Sequence, residues 1–167
     1  ATEKIAVVNL SESNTALTED IFSNTKVFSD YIDAERKAAN AKFLIGGYKE
    51  LRAMYKRSAL FNFVNDNLRS QVDTGKTDAI ETEPRRLHLG IDIWGAADTK
   101  IFAPLGGMVH SFANNENFGD YGATIILQHQ LETVVFHTLY GHLALKDIIQ
   151  LKPGQFVTRG QCFAHFG

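Results

Sequence analysis

All six histidines of this 167-residue chain lie after position 87, so any histidine-based chemistry belongs to its second half. The best candidate constellation is His88-Leu89-Gly90-Ile91-Asp92. In a strand, positions i, i+2 and i+4 share a face, which places His88, Gly90 and Asp92 together. Full extension would hold the end Cα atoms roughly 13 Å apart, long for chelating one ion, but a bend or bulge at Gly90 would bring both side chains inward. Imidazole nitrogen plus carboxylate oxygen suits zinc, with one more protein ligand and an open position completing a catalytic tetrahedron. The plain alternative is a strand histidine that sits beside an aspartate with no ion between them. A second element, Thr138-Leu139-Tyr140-Gly141-His142-Leu143, sets His142 beside a glycine just past a strand end, where a rigid sheet presents reactive groups. There His142 could orient or deprotonate a water, stabilise an oxyanion, or serve only as a hydrogen-bonded structural residue.

The elements that must position these residues divide near position 87. Residues 1–87 hold 13 of the 17 Lys+Arg and 13 of the 19 Asp+Glu, whereas residues 88–167 hold 10 of the 13 glycines. The first part reads as helical. Asn14-Thr15 or Thr18 could cap a short helix through Ile21-Phe22, and Ser29-Asp30 precedes a run of helix formers from Tyr31 to Ala39. Gly46-Gly47 is a break, after which Leu51, Met54 and Tyr55 at i, i+3 and i+4 predict a second helix over Tyr48–Tyr55. The polar run from Asp73 to Glu83, ending at Pro84, reads as a loop or linker. The second part reads as short strands between glycine turns: 87–94, 108–112, 123–129, 133–140 and 156–158, with a helical turn within 145–151. The resulting expectation is an α+β chain, an N-terminal helical appendage over 1–85 and a small antiparallel β-sandwich or open barrel over 86–167.

Several motifs in this order and register resemble the lysostaphin-type (LytM-like, glycyl-glycine endopeptidase) metallopeptidase family. The family's His-x-x-x-Asp element matches His88-Leu89-Gly90-Ile91-Asp92. Its Ala-Pro-x-x-Gly-x-Val turn matches Ala103-Pro104-Leu105-Gly106-Gly107-Met108-Val109. Tyr121-Gly122-Ala123-Thr124-Ile125-Ile126-Leu127-Gln128-His129 matches a Tyr-Gly-x-x-Ile-x-Leu-x-His strand, and Tyr140-Gly141-His142-Leu143 matches Tyr-x-His-Leu. Gly154 to Gln161 fits the closing Gly-x-x-Val-x-x-Gly-Gln pattern. The resemblance covers about residues 86–167; the first part has no comparably diagnostic motif. It implies that His88 and Asp92 are metal ligands for zinc (Zn2+) and that His142 is a catalytic histidine. It further implies a zinc-dependent endopeptidase acting on peptide bonds of peptidoglycan, in stem peptides or cross-bridges, in the periplasm, the cell envelope or outside the cell. The family's third zinc ligand lies in a His-x-His element on the following strand, and residues up to Gly167 contain no such pair. His165 falls on the strand before the place where that element is expected.

Other function classes fare less well. A net charge of -2 argues against nucleic acid as a partner, and no run of 18 apolar residues offers a transmembrane segment. No secretory leader pattern is legible in the first residues, which leaves the compartment open. The lone Cys162 excludes an internal disulfide and a multi-cysteine cage, and it reads as a small buried hydrophobe rather than a nucleophile. His110 and His137 lack partner spacing and read as structural or surface residues, His129 is left without a role, and Arg85-Arg86 reads as a solvated basic pair. One rival is a catalytically inactive member of the same fold that binds peptidoglycan or a partner enzyme. A second is a biotinyl- or lipoyl-type carrier, suggested by the turn at 153–161, but Lys100, Lys146 and Lys152 do not sit at a hairpin tip as a carrier lysine must.

Overall fold

Ile5-Ala6-Val7-Val8 and Phe43-Leu44-Ile45-Gly46 are short apolar segments rich in branched residues, and they form strands β1 (Ile5–Val8) and β2 (Phe43–Gly46), paired in parallel. Parallel neighbours need a crossover of a dozen or more residues, usually helical. Here the connection carries α1 (Glu19–Ser23) and α2 (Thr25–Ala38). The structure is a computed structural model describing residues 3–52, 54–55, 87–117 and 119–167. The chain forms two compact units, Ala1–Trp94 and Gly95–Gly167.

In the first unit, α2 starts at Asn24, whose side chain accepts hydrogen bonds from the Lys26 and Val27 amides, and ends with Arg36 and Lys37, which suit the negative end of the helix dipole. Phe28, Tyr31 and Ile32 lie at i, i+3 and i+4, and they meet Val8, Leu10, Ala41 and Leu44 in a small core with Trp94 packed against it. Strand β2 is central, with β1 on one side and β5 (Ile93–Trp94) antiparallel on the other. A two-residue strand, β3 (Glu50–Leu51), pairs antiparallel with β4 (Leu87–His88).

The helix expected over Tyr48–Tyr55 is therefore a correction. Tyr48 and Lys49 form a turn, with Lys49 at φ 57° in the left-handed region, and Glu50 and Leu51 leave helical geometry to pair with His88 and Leu87. Leu51 is 53% exposed, so the periodic stripe does not mark a buried face. Helices make up only part of the expected helical appendage, since β1, β2 and β3 also lie there. The linker expected at 73–83 and the Arg85-Arg86 pair lie outside the described residues.

The second unit is almost entirely β. Strands β7 (Gly107–Asn115), β8 (Gly122–Leu131) and β9 (Val134–Leu143) form an antiparallel meander, and β10 (Phe156–Val157) joins the free side of β7. Strand β8 is central and alternates: Ala123, Ile125, Leu127 and His129 share one face and are all buried. Against that face pack Ala103, Val109, Leu143, Ile148, Val157 and Ala164. A separate pair, β6 (Lys100–Phe102) and β11 (Cys162–His165), is antiparallel with a register shift between Cys162 and Ala164. The expected β-rich second half is present, and strand β9 runs through Gly141 to Leu143 where a break was expected.

Candidate metal centre

Strand β4 ends at His88 and β5 begins at Ile93, and the chain between them bends at Gly90. The bend brings His88 Nε2 to 3.6 Å from Asp92 Oδ1. Two donors on one tetrahedral zinc, at bond lengths of about 2.0–2.2 Å, lie roughly 3.3–3.6 Å apart, so this separation suits a shared ion. Gly90 does more than bend: a Cβ built there would sit 3.0 Å from His88 Nε2. Gly90 is not among the residues with positive φ, so what it supplies is space beside the imidazole nitrogen. Burial pushes the His88 imidazole below its ordinary pKa against the attraction of Asp92; the Arg52 charge adds to the lowering, while the Gly47 backbone and Glu50 oppose it. A neutral imidazole is the form that binds metal. Among the described residues, His88 Nδ1 is buried with no hydrogen-bond partner. The donor set, one imidazole nitrogen and one carboxylate oxygen, fits zinc. Among the described residues, no group of three or more His, Cys, Asp or Glu is gathered for a metal.

The Asp92 carboxylate has a second partner that spacing along the sequence does not reveal. Arg52 donates from its Nη1 to Asp92 Oδ2 and from its Nε to Glu50 Oε2 at 2.8 Å. Glu50 is itself held, because its Oε1 accepts the Leu10 amide at 3.0 Å. Arg52 is only 3% exposed, and its pKa is held up, against the cost of burial, by Asp92 and then Glu50. The only sequence signal for Glu50 and Arg52 was opposite charge two residues apart after Gly46-Gly47, a pattern too common to single out.

His142 belongs to the second unit and sits on a bulge of β9. Ala123 pairs with Leu143 and Ile125 with Tyr140, so Gly141 and His142 together oppose Thr124. His142 has φ 53°, an uncommon conformation for a residue with a side chain, and its ring is exposed. Its amide donates to the Tyr121 carbonyl at 2.6 Å and its carbonyl accepts the Gly167 amide at 3.0 Å. Backbone bonds on both sides thus over-determine a strained position, and the imidazole stands tilted beside the Tyr121 ring, centroid to centroid 6.4 Å.

The remaining histidines have structural surroundings. His129 is buried, with Nδ1 2.9 Å from the Gly106 carbonyl, Nε2 2.7 Å from Thr138 Oγ1 and its ring stacked on Phe136. A carbonyl only accepts, so the proton sits on Nδ1 and Nε2 accepts from the threonine. His165 Nδ1 lies 3.1 Å from Asp147 Oδ2, and its amide donates to the same oxygen at 2.7 Å. His110 and His137 meet edge to face at 4.9 Å on exposed positions. Cys162 is a free, half-buried thiol.

Compared with curated proteins and with solved structures, the chain has no significant match. Compared with protein families, it matches Peptidase family M23 over residues 86–167, the stretch that contains His88, Asp92 and His142. Residues 86–167 thus carry the signature of peptidase family M23, the LytM/lysostaphin-type peptidases.

Proposed function

We propose that this protein is a zinc-dependent endopeptidase that hydrolyses peptide bonds of peptidoglycan, in stem peptides or cross-bridges, with His88 and Asp92 as metal ligands and His142 as the catalytic histidine. The observation that carries the reading is the approach of His88 Nε2 to Asp92 Oδ1, 3.6 Å, inside the segment that matches a peptidase family. Peptidase work falls to residues 86–167, with residues 1–85 as an appended segment.

When bound, the ion supplies Lewis acidity toward the scissile carbonyl and lowers the pKa of water. His88 offers Nε2, kept neutral by burial. Asp92 offers Oδ1 and a negative charge, while Oδ2 stays on Arg52. His142, exposed and fixed by its backbone bonds, holds or moves a proton at a ring nitrogen, or donates to the oxygen on which negative charge develops.

The test combines zinc content with release of peptides from purified peptidoglycan. His88→Ala and Asp92→Ala should each lose zinc and activity together. His142→Ala should keep its zinc and lose roughly 10²–10⁴-fold in rate, the usual range for a general acid–base group. Equal zinc loss in all three variants would make His142 a ligand instead. Stoichiometric zinc without hydrolysis, alongside retained binding to peptidoglycan, would assign the catalytically inactive binding role.

A further inference from the structure

The first unit contributes a charge network that ends on Asp92. Its links are the Leu10 amide, the Glu50 carboxylate, the Arg52 guanidinium and Asp92 Oδ2. Residues 10, 50 and 52 precede the matched family segment, which begins at 86. Three features separate this arrangement from an ordinary surface ion pair. Arg52 is 3% exposed, and a buried guanidinium is retained only where carboxylates compensate it well. It engages the Asp92 oxygen that does not face His88, so the carboxylate is fixed with Oδ1 directed to the imidazole. The backbone is also shaped to admit it: a Cβ at Gly46 would stand 2.9 Å from Arg52 Nη2.

We infer that Arg52, braced by Glu50, is a positioning residue for the metal ligand Asp92: it holds one carboxylate oxygen so that the other is presented with His88 Nε2 to a divalent cation. This rests on the metal reading above. Partners of ligating groups commonly fix ligand orientation, and their loss typically weakens metal binding by about 10–100-fold. The guanidinium is suited to the task because its planar fork reaches two carboxylates at once, which a lysine ammonium cannot do from a fixed position.

The test measures zinc affinity of the intact protein by competition with a chromophoric chelator, and the visible spectrum of the cobalt(II)-substituted protein. Wild type, His88→Ala and Asp92→Ala establish the site; wild-type affinity in both alanine variants would overturn the metal reading, and this inference with it. With that site established, Arg52→Met should bind zinc about 10–100-fold more weakly and alter the cobalt spectrum, with Arg52→Lys intermediate. Because Arg52→Met strands two carboxylates, the double variant Glu50→Gln/Arg52→Met is measured beside it, and circular dichroism reports folding. Unchanged or tighter zinc binding in either folded Met variant would overturn the inference while leaving the metal reading standing; tighter binding would make Arg52 a competing cation. If neither Met variant folds, Arg52→Lys decides: weaker zinc binding supports the inference, and wild-type affinity with a wild-type cobalt spectrum overturns it.

Discussion

Gly90 matters to His88 for the space it leaves rather than the backbone it permits, since its φ is not in the left-handed region and a Cβ there would stand 3.0 Å from Nε2. Gly90→Ala therefore leaves the backbone unstrained and makes the imidazole give way by a few tenths of an ångström. It should weaken zinc binding several-fold while leaving the denaturation midpoint of the metal-free protein nearly unchanged; unaltered affinity by chelator competition would show that the ring is not held where it stands. A second consequence concerns protonation of His88 in metal-free protein. Burial holds its folded-state pKa below the ordinary value of 6.5, so as pH falls past 6.5 the unfolded chain takes up a proton that the folded chain does not. Its contribution to stability is full above that pH and is lost on acidification through the folded pKa. The expected observation is an NMR titration of His88 centred below 6.5 and a drop in stability on acidification that His88→Ala reduces; a midpoint at or above 6.5 would contradict it. His88 and Asp92 were legible because their pairing is local, four residues apart. Arg52 was not, because its bond to Asp92 spans a sequence separation of 40 and no local pattern encodes it.

Among the elements, those whose signals are local followed the sequence and those formed by distant pairing did not. The helix expected from Ser29-Asp30 begins earlier, at Thr25, because Asn24 supplies the cap. Asn24→Ala should cost about 0.5–2 kcal/mol, the usual range for losing such a cap, readable as a lower chemical-denaturation midpoint with little change in zinc affinity. The segment 48–55 carried a helical period, yet two of its residues are claimed by β4, and a strand partner more than thirty residues away leaves no mark on local periodicity. In the second half, glycine turns and alternating apolar residues delimited β7, β8 and β9 to within a few residues. The β9 bulge was hidden, since Gly141 reads equally well as a strand end. Gly107 tests how tightly this sheet is packed, because a Cβ there would lie 2.7 Å from both the Gln128 carbonyl and His129 Nδ1. Gly107→Ala should destabilise by about 1–3 kcal/mol through overpacking, with loss of the His129–Gly106 hydrogen bond visible in the imidazole nitrogen shifts.

Across the whole chain, the family segment and the structural units do not share a boundary. The family match starts at residue 86, whereas the first unit runs to Trp94, so β4, the bend at Gly90, Asp92 and β5 belong by sequence to the peptidase segment and by packing to the first unit. Strand β4 takes its partner from β3 and β5 from β2, and Asp92 takes its counter-charge from Arg52, all contributed by residues before 86. The second unit has its own core around Ile125, Leu127 and Val109. A polypeptide restricted to residues 86–167 should accordingly keep the β7–β8–β9 sheet, with slow amide exchange along β8, because the backbone partners of that strand are all retained. It should nevertheless bind zinc at least ~10-fold more weakly than the intact protein, since β4 and β5 lose their partners and the Asp92 carboxylate loses the group that orients it. Chelator competition and hydrogen exchange on the same sample separate the two effects. Zinc affinity equal to that of the intact protein, with β8 still protected, would show that the metal strand needs no support from residues before 86.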